Sequence, residues 1–446
     1  MNYDINFSYE NINYQMRLDE APSDEGVITI NGKSYHVTLF EEPPILQSFL
    51  NSLNGQSFDS VETFEATLAE FDTEEKVTAC YEKYLSAEKL DEDKEENLNI
   101  FFQKNVEKTS FRGSVLIAYK NKILLHKGYG VANELGEEVS TETIFHLGSI
   151  SKQFTAAAIL LLEQEKKLST NDLIKIHLPE NLYSNIWDKI TIHELLNHSS
   201  GLTDFPQEYY QIAEPKTPEM LIKEFQSSPL LFAPGTAWKY SDPGYILLGV
   251  IIEKVSAETY GDFIKNHIFT ACCMENSGYG DSYNIKKAAV GYLQSPSLKP
   301  IKDQEKYLIN AYAAGGLYST TEDLLKWIKA LHTEKILTEE SKQKAFYFSN
   351  LPLHLPVEPS YPIDESTFPY PFQQEKKPII HYGYGVFLWQ SPKLGLCTYH
   401  FGSIPGFTSV VARYLQTGNY VIILSNQENA PLKEFLDYID SIFNLT

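Results

Sequence analysis

The segment Gly148-Ser149-Ile150-Ser151-Lys152 opens a long apolar run. A serine and a lysine three apart on a helix share one face, with Cβ atoms about 5–6 Å apart, so the amine can reach the hydroxyl. Free N–H groups and the dipole at a helix N-terminus favour negative charge beside Ser149. This arrangement suits a nucleophilic serine with lysine as its base. The base must first lose its proton: bringing an amine from about 10.4 toward 7–8 takes roughly 4 kcal/mol of burial and neighbouring positive charge. The apolar residues 154–162 can supply part of that burial. Ser-x-x-Lys occurs three times, at Ser86/Lys89, Ser149/Lys152 and Ser341/Lys344. The first and third lie in polar, charge-rich stretches with no apolar helix behind them.

Two further segments carry polar groups next to predicted elements. Tyr240-Ser241-Asp242-Pro243-Gly244 leads into a predicted helix over 246–255, and His400-Phe401-Gly402-Ser403-Ile404-Pro405-Gly406 leads into a predicted strand. The order Ser-x-x-Lys, Tyr-Ser-Asp, His-x-Gly resembles the active-site serine penicillin-recognising family: class C β-lactamases, D-Ala-D-Ala carboxypeptidases and related esterases. Residues 195–202, which include Asn197-His198-Ser199-Ser200-Gly201, resemble the loop after that family's first helix. Residues 315–324 resemble its later glycine turn. The resemblance covers about residues 98–446.

That resemblance implies roles. Ser149 would be acylated and Lys152 would take its proton. Tyr240 would relay protons to the leaving group and activate the deacylating water. His400 would hold a substrate carboxylate or polarise Tyr240, and Asp242, Gly402 and Ser403 would line the substrate. The backbone N–H groups of Ser149 and Ser403 would form an oxyanion hole, typically worth about 3–4 kcal/mol per donor. No metal or organic cofactor is implied.

Two departures from the family's commonest pattern matter. Asp242 stands where asparagine is usual. A carboxylate there favours protonated Lys152, by roughly 1–3 pKa units for a close pair, and removes a donor to a substrate amide carbonyl. His400 replaces the more frequent lysine. An unperturbed imidazole titrates near pH 6.5, so its hold on an anion would weaken above that.

These residues need elements to position them. Predicted strands at 114–119 and 123–126, joined by a turn at 120–122, precede a helix over 152–166. A helix-rich middle runs to about 345, and strands at 384–389, 408–414 and 420–425 precede a helix over 432–443. Strands at both ends with helices between predict an α+β fold: one antiparallel sheet flanked by helices, with a helical insert, as in β-lactamase/transpeptidase-like proteins. Seven prolines between Pro352 and Pro378 favour an extended surface loop.

Residues 1–83 read as a small mixed α/β module of unknown role. An alternating strand at 3–7 is followed by a hairpin, 27–30 and 35–39, around Asn31-Gly32. Helical patterns follow at 45–53, 61–71 and 74–85. Residues 84–97 form an acidic connector, its stretch 88–96 read as a solvated helix face or a linker rather than a binding tail, and a helix over 97–106 opens the larger domain. Docking of a protein partner is one role considered for the module, and no motif supports it.

Composition bounds the rest. The chain has 446 residues, 43% hydrophobic and 22% charged, which excludes a disordered or fibrous protein. Its 37 basic and 59 acidic residues give a net charge of -22, unfavourable for nucleic acid or anionic membrane. No apolar run approaches a membrane span, and the N-terminus lacks a secretory signal pattern, so the reading is cytoplasmic, leaderless export aside. Four cysteines are too few for a disulfide framework. His193 and His198, five apart, point about 140° from each other on a helix and cannot share a zinc face.

The expectation is a serine hydrolase acting through an acyl-serine on a small-molecule or peptide substrate: a D-amino-acid peptide, a β-lactam or a small ester. The alternative is a binding or regulatory protein that keeps the fold without turnover, motivated by Asp242.

Overall fold

The computed structural model describes residues 74–205, 214–280, 285–293, 309–346, 380–391 and 394–443, with shorter stretches at 2–9, 12–20, 28–30, 33–39, 57–60, 63–64 and 299–300. These fall into two compact units, Met1–Glu96 and Asn97–Thr446.

In the first unit, strands Asn2–Tyr9, Ile12–Glu20, Lys33–Leu39, Ile28–Ile30 and Ser57–Phe58 form a sheet in that order. The expected hairpin is present: Ile30 pairs with Lys33, and Ile28 with Tyr35, antiparallel. The strand Ile12–Glu20, paired to the first along its length, has no counterpart in the sequence reading. The turn residues Asn31-Gly32, the helical pattern at 45–53 and most of that at 61–71 lie outside the described residues, as does the proline-rich stretch 352–378.

Of the two readings of the acidic stretch, solvated helix face or connector, it is helical, and the division between the two units falls at its end. Residues 74–109 hold no glycine or proline and are rich in good helix formers, and they make one 36-residue helix, Glu74–Thr109, where two helices and a linker were expected. It ends at Ser110, whose φ of 57° takes the left-handed form common after helices.

The second unit is built on a seven-stranded antiparallel sheet. Its order is Ile380–Tyr382, Phe387–Ser391, Gly395–Ile404, Phe407–Tyr414, Asn419–Ser425, Gly113–Tyr119, Lys122–Tyr129. Both ends of the unit therefore supply the sheet, and the chain between them supplies the helices. Lys120 and Asn121 both have positive φ (50° and 66°), as a tight type I′ hairpin turn requires.

Successive side chains of a strand face opposite sides, and here both sides are covered. Leu116 and Ala118 join Ile422 and Leu424 in one apolar core, under the helices Ser151–Gln164, Asp242–Ser256 and Thr321–His332. Val115 and Ile117 join Val421 and Ile423 in the other, under Phe102, Phe111 and the helix Leu432–Phe443. Two-sided burial explains why these strands read as unbroken apolar runs.

The helix Ser151–Gln164 is buried on nearly every face, so its polar residues must find partners inside the protein. Ser151 Oγ accepts from Leu317 N–H at 3.1 Å, and Thr155 Oγ1 donates to the Ala313 carbonyl at 2.7 Å. These bonds dock the short helix Tyr312–Gly315 against the start of the buried helix. No described helix is long and apolar enough to cross a membrane.

Candidate active site

Ser149 sits in a single 3-10 turn, Gly148–Ile150, just ahead of the buried helix. That turn lies hard against the strand Gly395–Ile404. A Cβ on Gly148 (φ 54°) would stand 2.9 Å from Ser403 N, and one on Gly402 would stand 1.9 Å from the Leu147 carbonyl oxygen. Only glycines permit this approach, which brings the Ser149 turn beside the Ser403 backbone. Ser149 is partly exposed and Ser403 exposed, whereas Gly402 is buried.

Lys152 is completely buried one turn further on. Its ammonium donates to Ser149 Oγ at 3.1 Å and to the Ala314 carbonyl at 2.8 Å, and it pairs with Asp242 Oδ1 at 2.6 Å. The rings of Tyr240 and Tyr245 lie 4.8 and 5.5 Å from the nitrogen. Burial lowers the Lys152 pKa, and the nearby Asp242 and Asp204 carboxylates offset only part of that shift. Asp242 thus opposes deprotonation as expected, but desolvation outweighs it. The other two Ser-x-x-Lys matches lie elsewhere in the chain; Lys344, for one, pairs with Glu163 at 3.1 Å.

Tyr240 precedes the N-cap of the helix Asp242–Ser256, where Ser241 Oγ accepts from Gly244 N–H at 3.3 Å and Pro243 occupies the first turn. Its phenol is buried and interacts with Ser149. Burial, then the Asp242 charge, raises its pKa well above 10, while Ser149 draws it down.

His400 lies within the strand Gly395–Ile404, not ahead of one; glycines at both ends of the segment hide its strand character. Its Nδ1 bonds the Phe401 carbonyl at 2.6 Å, which places the proton there, so Nε2 accepts from the Tyr382 hydroxyl at 2.9 Å. Its ring centroid is 6.3 Å from that of Tyr240. Burial, reinforced by the Lys152 charge, pushes its pKa down to about 3. The expected titration near neutrality is therefore absent: His400 is a neutral imidazole with both nitrogens occupied.

The structure thus gathers Ser149, Lys152, Tyr240 and Asp242 into one cluster, with Gly402 and Ser403 against the Ser149 turn and His400 one ring further out. Sequence reasoning missed Asp204. Its Oδ1 accepts from Asp242 N–H at 3.1 Å and Phe205 N–H at 2.9 Å, and burial, then the Asp242 charge, pushes its pKa up to about 7. It also missed Tyr382, the partner of His400. Neither lies in a recognisable motif. His193 and His198 diverge, but not by helical spacing, since the helix Ile192–Leu196 ends before His198: His193 bonds Tyr384 at 2.6 Å, whereas His198 faces Tyr240 at 4.3 Å between ring centroids.

The family model described as Beta-lactamase matches residues 99–440. Penicillin-binding protein 4* of Bacillus subtilis (strain 168) is 31% identical over 363 residues, covering 76% of this chain and 73% of that protein. The octameric penicillin-binding protein homologue from Pyrococcus abyssi superposes with a TM-score of 0.65 at 25% identity, covering 78% of this chain and 76% of that one. A D-amino acid amidase from Ochrobactrum anthropi SV3 shares the fold, with a TM-score of 0.63 at 22% identity, over 78% of this chain and 98% of its own. With the family model matching most of its length, the chain belongs to the Beta-lactamase family, a family of serine hydrolases.

Proposed function

We propose that this chain hydrolyses amides or esters through an acyl-Ser149 intermediate, and that its substrates are neutral or cationic next to the scissile bond. The observation that carries this reading is Lys152 Nζ, 3.1 Å from the Oγ of a partly exposed serine at a helix mouth. In its neutral form the amine accepts the Ser149 proton as Oγ attacks the acyl carbon. The carbonyl oxygen takes up negative charge beside the N–H groups of Ser149 and Ser403. As the tetrahedral adduct collapses, the leaving amine or alkoxide takes a proton relayed through Tyr240. Water then adds to the acyl carbon, gives up a proton by the same relay, and Ser149 leaves reprotonated.

Charge narrows the substrate. Among the described residues, the contacts around Ser149 bring in one cation, Lys152, already paired with Asp242 at 2.6 Å, with Asp204, whose pKa is pushed up to about 7, bonded to the Asp242 backbone N–H. His400, the family's position for holding a substrate carboxylate, is neutral and engaged on both nitrogens. Among the described residues, a carboxylate-bearing β-lactam or a peptide with a free C-terminus beside the scissile bond meets no positive partner at His400. D-amino-acid amides, amino-terminal peptides and simple esters fit better.

The test is intact mass after exposure to a panel of esters, amino-acid amides and a penicillin. An acyl increment from the esters or amides, absent in Ser149→Ala, supports the reading; an increment from penicillin alone overturns the substrate assignment. The Lys152–Asp242 ion pair favours a second reading, a binding protein whose lysine stays protonated. Silence of the wild type toward the whole panel, with saturable binding of one of its members, would select it.

A further inference from the structure

Tyr240 must present its phenol to Ser149, yet it stands outside the helix that follows it. Its position has to come from contacts on both sides, and both involve one residue. The His198 carbonyl accepts from Lys239 N–H at 3.0 Å, and His198 Nδ1 accepts from Ser241 N–H at 3.2 Å. The residues flanking Tyr240 are thereby fixed to the same point. The imidazole also lies against the phenol, with centroids 4.3 Å apart, and against Tyr382 at 4.5 Å. His198 takes a left-handed backbone, φ 62°, which aims its ring and carbonyl at the same strand.

An imidazole that accepts at Nδ1 carries its proton on Nε2. That Nε2 is buried and makes no hydrogen bond among the described residues, a cost that a purely space-filling residue would not carry. Burial, then the Lys152 charge, keeps the ring neutral and so keeps the acceptor available.

We infer that His198 is a positioning residue for Tyr240: its Nδ1 lone pair and its carbonyl hold residues 239 and 241 so that the phenol is aimed at Ser149. This rests on the hydrolase reading above. Two variants separate the acceptor from the ring. His198→Phe keeps an aromatic ring against Tyr240 and deletes both the acceptor and the unpaired donor. His198→Asn keeps an acceptor and tolerates positive φ but loses most of the ring.

Turnover of an activated ester is measured together with melting temperature and hydrogen exchange at the Ser241 amide. A correctly placed proton-relay group contributes about 10²–10⁴-fold, so His198→Phe should lower kcat by about 30-fold or more with KM within about twofold. His198→Asn should recover to within about fivefold of wild type. Ser241 exchange should accelerate in the Phe variant alone. A Phe variant with wild-type kcat, or equal losses in both variants tracking melting temperature, overturns the assignment. If His198→Phe does not fold, His198→Ala replaces it in the comparison with Asn. If the wild type turns over neither an activated ester nor an amino-acid amide, the hydrolase reading fails, and unchanged Ser241 exchange in the Phe variant would separately remove the positioning role.

Discussion

Around Ser149 stand two groups of side chains that are opposite in charge behaviour. On one side Lys152 and Asp242 meet at 2.6 Å, with Asp204 bonded to the Asp242 amide. On the other, among the described residues, His198, His400 and Tyr382 hydrogen-bond only backbone or neutral partners. Desolvation acts on both and always against the charged form. It has a strong opponent only where opposite charges touch. The histidines have none, and Lys152 repels them further, so both stay neutral. The lesson is that ionisation here is set by contact partners rather than by residue type. A histidine in the motif position of a lysine does not do a weakened version of the lysine's work.

The comparison breaks most visibly at Lys152. Lys152→Met leaves the partly buried Asp242 carboxylate, with Asp204 beside it, without its cation. Losing one partner of a buried pair typically costs about 3–5 kcal/mol, and removing a unit of the catalytic machinery typically costs 10³-fold or more in kcat. Adding Asp242→Leu should restore much of the stability and none of the activity. Urea unfolding and ester turnover check both; a single variant as stable as wild type would mean that the ion pair is not buried as described.

Asp242→Asn sharpens the same contrast with a smaller effect. Asp242 raises the Lys152 pKa, so its removal lets that pKa fall further. The proposed mechanism requires neutral lysine, so the limb of kcat/KM that rises with pH should move to lower pH, by about 1–3 units. The restored amide donor should also raise β-lactam acylation. A limb that stays in place would remove Asp242 as the control on Lys152.

The smallest effect belongs to the neutral group. His400 and His146 are both pushed down to about 3 by burial, while the unfolded chain titrates near 6.5. Between those values the unfolded state binds more protons. Stability is therefore full above pH 6.5 and declines as the pH falls toward 3. His400→Gln should flatten part of that decline in thermal melts. The rate should show no His400 inflection between pH 5.5 and 7.5, and an inflection near 6.5 that vanishes in His400→Gln would refute its neutral state.

Much of the sheet was readable because its strands are apolar on both faces and its hairpins use recognisable turns. The errors have physical causes. The helix Glu74–Thr109 was divided because its charge-rich centre reads as a solvated linker, although nothing in it interrupts helix formation. The strand bearing His400 was obscured by Gly402, which is there to admit Leu147. Asp204, Tyr382 and the part played by His198 left no local signal, because each acts on a segment far away in sequence.

What the sequence by itself determined is the local: a serine and a lysine one helical turn apart, a tyrosine before a capped helix, and glycines where backbone approaches backbone. Those follow from spacing and from conformational preference within a few residues. The charge state of every group was decided only by the tertiary structure. A pKa depends on which partners and how much water surround a side chain, and those neighbours come from stretches tens to hundreds of residues apart.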